Sequence, residues 1–250
     1  MSARAETRAP KAEQAAPRRA ISPARLLSAL ALAGWAGLFW FLWASGRTAL
    51  YLGVRTQWLV PVGAAILTAT AAGRLLSLRT EHPAAARPQD AWGVALILVP
   101  VVLITSLPAA SLGSYAAGRR STLATGGVSS SGDLSTGDLN LVDVAGALAS
   151  REAMHQLVGR AGSTVSFKGF VDKVPGMGAD EFMLTRFVIT CCVADAIAAQ
   201  VRVVDAPPGR FSPDDWVRVT GQMYPLGREI IVVASEVQGV DKPKHPYLYP

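Results

Sequence analysis

The chain has 250 residues, of which 50% are hydrophobic and only 17% charged, and its mean hydropathy is +0.30. Soluble domains carry about a quarter charged residues, so this composition points away from an ordinary cytosolic enzyme. The net charge of +6 is unevenly held: residues 1–120 carry 13 Lys+Arg against 4 Asp+Glu, and residues 121–250 carry 11 against 14.

Three long uncharged stretches follow a basic tail of residues 1–25. They are Leu26 to Gly46, residues 56–73 and residues 91–118, of 21, 18 and 28 residues. A hydrocarbon core needs about 20 apolar residues in a helix, so each is expected to cross a membrane. The second suffices if Arg74 snorkels and Leu75, Leu76 and Leu78 complete it. The first is too long for a signal-peptide core, and it ends in Phe39, Trp40, Phe41 and Trp43, an interfacial aromatic belt. Arg4, Arg8, Lys11, Arg18, Arg19, Arg25, Arg74, Arg79 and Arg87 flank one side of the spans. Arg47, Arg55, Arg119 and Arg120 flank the other. The positive-inside rule then puts the N-terminus in the cytoplasm and residues 114–250 outside, in a multi-pass membrane protein. On this reading Trp58 and Tyr115 lie at the outer interface and Trp92 at the inner one.

The spans lack Asp, Glu, His and Lys at mid-depth, where transporters place their ionisable sites. Pro100 and Pro108 can kink the third helix. Ala65, Ala69 and Gly73 form a small-xxx-small ridge on the second span, and Ala33 and Gly37 a shorter one on the first. Such ridges serve packing among the chain's own helices or onto a partner.

Residues 114–137 read as a Ser/Gly-rich linker whose coil of residues 121–137 spans about 20–25 Å r.m.s.. Residues 138–250 then form an α+β domain. Asn140 caps a helix with Leu141, Val144, Ala145 and Leu148 at helical spacing, and Ser150 caps a second helix ending at Gly159. His155 lies on the latter as a surface or packing residue. From Thr164 the period becomes two. Strands are expected at Val165–Val171, Glu181–Val193, around Val201–Val203, at Trp216–Gly221 and at Glu229–Val237. Five short strands in so few residues suggest a small OB-like barrel, its usual helix between strands three and four reduced to the loop Pro207–Asp215. OB barrels often bind nucleic acid, but a net acidic domain outside the cell argues against that partner.

The segment Phe182-Met-Leu-Thr-Arg-Phe-Val-Ile-Thr-Cys-Cys-Val-Ala-Asp195 is the most distinctive in the chain. With Ser111–Arg120, Asp215–Gly221 and Pro243–Tyr249, it resembles the YcgQ-like family of bacterial membrane proteins, over roughly residues 26–250. The resemblance implies an auxiliary subunit of a two-component permease complex, working beside a multispanning permease in the same bilayer. It implies a partner more than a mechanism.

On a regular strand, Cys191 and Cys192 would point to opposite faces, one into the core and one outward. Burial competes there with a strained vicinal disulfide, a mixed disulfide, and ligation of a divalent metal such as zinc. A metal site would take Cys191, Cys192 and Asp195, with His245 or His155 from elsewhere. Arg186, sharing strand parity with Phe182, Leu184 and Val188, needs a carboxylate or backbone carbonyls, or else recognises an anion or partner. Asp214-Asp215 looks like turn chemistry. No Ser/His/Asp set, carboxylate pair or phosphate loop is present, so no catalysis is expected. The alternative to a permease subunit is a membrane-anchored extracytoplasmic metal-binding or thiol-sensing module.

Overall fold

A computed structural model describes residues 20–80, 87–107, 110–119, 134 and 138–250. Most of the expected basic tail, Pro108, Arg120 and linker residues 121–133 and 135–137 lie outside the described residues, whereas Ser114–Ala117, at the start of the expected linker, form a short helix with Ala117 buried. The chain divides into two compact units, residues 1–39 with 63–106, and residues 40–62 with 107–250. The segment joining the first two helices thus folds with the C-terminal domain.

Three helices are long and apolar enough to span a membrane: α1 (Pro23–Ala44), α2 (Leu59–Leu76) and α3 (Pro88–Ser106). Their 22, 18 and 19 residues correspond to about 33, 27 and 28 Å of helix, close to a hydrocarbon core of roughly 30 Å. Proline opens both α1 and α3, where its missing N–H costs no helical bond. The threonine hydroxyls of α2 and α3 are turned back onto their own backbone: Thr68 donates to the Ala64 carbonyl at 2.7 Å, Thr70 to Ile66 at 2.8 Å and Thr105 to Val101 at 2.8 Å. Polar groups on apolar helices are thereby satisfied without water.

At one end of this unit the backbone N–H of Ser22 donates to the Leu78 carbonyl at 3.0 Å, and Arg25 Nη1 donates to the Ser77 carbonyl at 2.5 Å. Between helices, Trp35 Nε1 donates to the Ile97 carbonyl at 3.2 Å. Buried positions on α1 and α2 are Ala29, Ala36, Leu38, Val60, Ala64 and Ala71, four of them alanines. Ala65, Ala69 and Gly73 are exposed, on a neighbouring row of α2.

The second unit carries the barrel. Asn140 Oδ1 accepts from the Val142 and Asp143 N–H groups at 2.7 and 3.2 Å, and Asp143 Oδ2 accepts from the Asn140 N–H at 2.9 Å. This capping box starts α4 (Leu141–Ala149), and Ser150 both ends α4 and caps α5 (Arg151–Val158). Five strands follow: β1 (Thr164–Asp172), β2 (Phe182–Val188), β3 (Ile197–Val204), β4 (Trp216–Leu226) and β5 (Glu229–Gly239). They close into a barrel in the order β1-β2-β3-β5-β4, with β3 and β5 parallel and every other pair antiparallel. This is the five-stranded Greek-key arrangement of an OB-like fold. The β3–β4 connection is a loop, as the Pro207–Asp215 composition suggests.

Two packed clusters fill the unit. Phe167, Leu184, Val201 and Met223 belong to the larger, together with Val144 and Leu157 of the helix pair. A second cluster holds Phe170, Phe187, Ile189, Ala198 and Tyr247. The C-terminal segment contributes to it as a strap: Leu248 donates its N–H to the Phe187 carbonyl at 2.8 Å and accepts from Ile189 at 3.0 Å.

At Gly221 the β4–β5 register shifts, and an added Cβ would collide with the Val233 carbonyl oxygen. Gly221→Ala should lower stability by on the order of 3 kcal/mol. Phe187→Ala, which empties the second cluster, should cost about 3–5 kcal/mol. Both are read by denaturant unfolding of the full chain in detergent. A third expectation concerns Asp172, whose pKa is raised above 3.8 by burial and, secondarily, by the charge of Asp214. Its protonated form favours the fold, so that stabilising contribution is complete below the ordinary carboxylate pKa and is lost as pH rises through the raised one. Asp172→Asn should therefore be more stable than the native chain at neutral pH and show a flatter pH profile in thermal melts.

Candidate functional site

The strand expected to run from Glu181 to Val193 stops at Val188. The cause is Asp195. Its carboxylate accepts from the N–H groups of Thr190 (Oδ1, 3.1 Å), Cys191 (Oδ2, 2.7 Å) and Cys192 (Oδ2, 3.4 Å). Three successive donors that a ladder would use are gathered onto one side chain, and residues 193–195 close the turn as a single 3₁₀ helix. The expected alternation of Cys191 and Cys192 across a strand is thereby replaced. Cys191 is exposed, Cys192 is half-buried, and neither enters the core.

Both thiols are reduced, and their sulfurs stand 3.7 Å apart. One ligand atom from each of Cys191, Cys192 and Asp195 lies within 4.8 Å of the others. These three are residues that the sequence offers as metal ligands, and the turn brings their donor atoms together. His155, exposed on α5, and His245, whose side chain is also exposed, are not part of that cluster. His245 contributes through its backbone instead.

Electrostatics couple the three groups. The Cys191 thiol is pushed up to about 11, first by its hydrogen bond to the Asp195 carboxylate and then by that to Cys192. Burial opposes ionisation of Asp195, but the Cys191 thiol and the three backbone N–H groups outweigh it and hold the carboxyl below its usual value. The resting turn is a charged carboxylate beside a protonated Cys191 thiol. Cys191 is therefore a weak nucleophile at neutral pH, since the thiolate is the reactive form.

A second segment braces this turn, and nothing in the sequence reading anticipated it. After the 3₁₀ turn Arg47–Leu50, the Tyr51 carbonyl accepts from the Val193 N–H at 2.8 Å, and the Gly53 N–H donates to the Cys191 carbonyl at 2.9 Å. Thr56 Oγ1 donates to the same carbonyl at 2.7 Å, and Leu52 and Cys192 form an antiparallel bridge. The available signal was the apolar run Ala49 to Val54 between Arg47 and Arg55, unusual for a loop in water. Gly53 is required by proximity: a Cβ there would lie 2.6 Å from the Thr190 carbonyl oxygen. Beside the turn lies a cavity of about 290 Å³ lined by Val54, Arg55, Thr190, Tyr249 and Pro250.

Arg186 finds backbone carbonyls, one of the two partners its place on the strand demanded. Nε donates to Pro246 at 3.0 Å and Nη2 to His245 at 3.1 Å, and the guanidinium lies 5.6 Å from the Trp216 ring centroid. Desolvation lowers its pKa. The residue pins the C-terminal strap, while Tyr247 accepts at its hydroxyl from the Leu112 N–H at 3.0 Å. Asp215 acts in its turn, Oδ2 accepting from the Ser212 N–H at 2.8 Å, whereas Asp214 Oδ1 accepts from the distant Ser114 N–H at 2.6 Å.

Gly53→Ala should lift the brace without unfolding the barrel. Amide hydrogen exchange should quicken at Gly53 and Val193, while amides of β4 and β5 keep their protection. Arg186→Ala leaves two carbonyls without their charged donor and should cost about 1–3 kcal/mol, with limited proteolysis trimming residues 243–250 faster than in the native chain.

Residues 144–250 match the family described as the DUF1980 C-terminal domain, an uncharacterised domain. No match to the chain is found among curated proteins. Among solved structures, "OBody AM1L10 bound to hen egg-white lysozyme" is similar at 16% identity and a TM-score of 0.24, over 34% of this chain and 86% of that one.

Proposed function

We propose that this chain is a non-catalytic auxiliary subunit of a transport complex in a bacterial plasma membrane, working beside a multispanning permease. The observation that carries the reading is the small-residue row Ala65, Ala69 and Gly73, which α2 leaves exposed while Ala64 and Ala71 serve internal packing. Small residues spaced four apart let a foreign helix approach closely. Three membrane-length helices and the DUF1980 C-terminal domain support the coarser part, a membrane-associated auxiliary protein.

The N-terminus is cytoplasmic and the barrel extracytoplasmic in this reading. Nine Lys/Arg flank the cytoplasmic side of the spans and four the other, the asymmetry of the positive-inside rule. Hydrogen bonds between residues 51–56 and the Cys191–Val193 turn support a reading with the first loop and the barrel on the same side. That arrangement agrees with three spans. Exposed Trp58 and Tyr115 suit the outer interface and Trp92 the inner.

Affinity purification from native membranes in mild detergent should recover a multispanning protein with the chain. Ala69→Leu with Gly73→Leu should reduce that recovery by about tenfold or more, equivalent to about 1.4 kcal/mol, with barrel unfolding unchanged. Recovery of the chain alone, under conditions that preserve known complexes, sinks the subunit reading. Orientation is checked separately with an impermeant thiol reagent on a chain otherwise free of cysteine. Ser130→Cys should label in whole cells, and Ser2→Cys only after the membrane is opened.

A further inference from the structure

We propose that Cys191, Cys192 and Asp195 form a binding site for a thiophilic divalent cation of the zinc class, with three ligands from this chain and an open fourth position. The inference stands apart from the permease reading, since it needs no partner chain to form the site.

The sulfur spacing is the first argument. Two thiolates bound to one tetrahedral zinc, each at about 2.3 Å, lie about 3.8 Å apart. Cys191 and Cys192 Sγ are separated by 3.7 Å. A disulfide requires about 2.05 Å, and a linear two-coordinate ion with similar bonds would spread the sulfurs to about 4.6 Å. The hydrogen-bonded thiols thus already stand at a separation that matches the bite of a tetrahedral chelate. Calcium and magnesium, which take oxygen ligands in larger numbers, are poorly served by two sulfurs.

The carboxylate is the second. Asp195 is fixed in place by the N–H groups of Thr190, Cys191 and Cys192, and each carboxylate oxygen has two acceptor positions. Lone-pair capacity remains for an ion. A ligand oriented by other hydrogen bonds is the usual support of a metal site. The turn itself is held from outside through Tyr51, Gly53 and Thr56, so the donors are fixed before any ion arrives.

Exposure and charge complete the case. Cys191 is open to solvent and Cys192 half-open, which supplies an entry path. Structural zinc sites are closed by four protein ligands, whereas sites that exchange water or substrate keep one position free. Here the described residues offer three. On ligation each thiol gives its proton to solvent and its sulfur lone pair to the cation, with no change of oxidation state. Two thiolates and one carboxylate against a divalent ion leave a net charge of −1. Such a site suits an ion that is received and passed on.

The test uses the full chain in detergent, reduced with a phosphine and stripped with a chelator. Zinc ion alone is titrated in competition with a chromophoric chelator, and cobalt(II) replaces it for absorption spectroscopy. The expected result is one ion per chain, a thiolate-to-cobalt charge-transfer band, and release of about two protons per ion near neutral pH. Cys191→Ser and Cys192→Ser should each weaken zinc binding by about tenfold or more and remove or diminish the band. Asp195→Asn should weaken binding while keeping the band, and His245→Ala should change neither. Thermal melts of the serine variants, whose sites are outside the core, show that the barrel is intact. Absence of zinc binding by the reduced native chain overturns the proposal. So does native affinity in the double serine variant, or a Cys191–Cys192 disulfide found by thiol trapping in protein taken directly from cells. Each of these results leaves the co-purification experiment to stand or fall by itself.

Discussion

The geometry of the C-terminal unit turns on one carboxylate. Asp195 takes up three consecutive N–H groups, from Thr190 to Cys192, and β2 ends at Val188 instead of running on toward β3. Buried or half-buried backbone donors need partners, and a side chain that supplies three at once competes directly with a strand ladder. Three consequences follow. The cysteines leave the sheet and come to the surface. The carbonyls of Cys191 and Tyr51 are free to exchange bonds with the opposing segment. Ile189, released from β3, pairs with Leu248 of the C-terminal strap.

Much of this architecture was legible in the sequence because it rests on local chemistry. Asn140 and Ser150 announce their helices by side chains that satisfy the first turn's donors, and the alternation from Thr164 onward marks strands by burial on one face. The membrane helices follow from uncharged length alone. What failed was a strand read too far. The run Phe187 to Val193 is as apolar and β-branched as a strand should be, and period-two patterning alone carries no sign of the aspartate that ends it. Cys-Cys-Val-Ala-Asp is in hindsight a turn closed by its last residue, like a capping box whose N-terminal member is a cysteine.

Partners distant in sequence were legible only as needs. Arg186 in an apolar row had to find carboxylate or carbonyl oxygen, and it found the carbonyls of His245 and Pro246, about 60 residues away. The type of partner followed from desolvation; its identity depended on the strap's path, which no periodicity encodes. Likewise the apolar run Ala49 to Val54 signalled burial without naming what would cover it. The small residues of α2 divide in the same way: spacing identifies a close-packing row, but Ala64 and Ala71 rather than Ala65 and Ala69 are buried. Rows one residue apart differ by about 100° on a helix, so composition cannot choose between them.

The position of the cysteines also bears on why they would be kept. A buried cysteine contributes as a small hydrophobe, and its presence then needs no chemistry. Cys191 and Cys192 lie outside both packed clusters, so packing gives little account of them. The Cys191 carbonyl, with the Val193 N–H, holds the Tyr51–Thr56 segment, but any residue offers the same backbone groups there. The sulfurs are what only cysteine supplies, and they face solvent beside a carboxylate. One turn joins two tasks. The Cys191 carbonyl and the Val193 N–H hold the segment that leads from α1 into α2, and the side chains of Cys191, Cys192 and Asp195 carry the donor atoms. A ligand that shifts the Cys191 carbonyl by a few tenths of an ångström acts directly on the hydrogen bonds to Gly53 and Thr56. Coupling through a contiguous hydrogen-bonded turn requires no long pathway. Leu59, where α2 begins, lies three residues beyond Thr56.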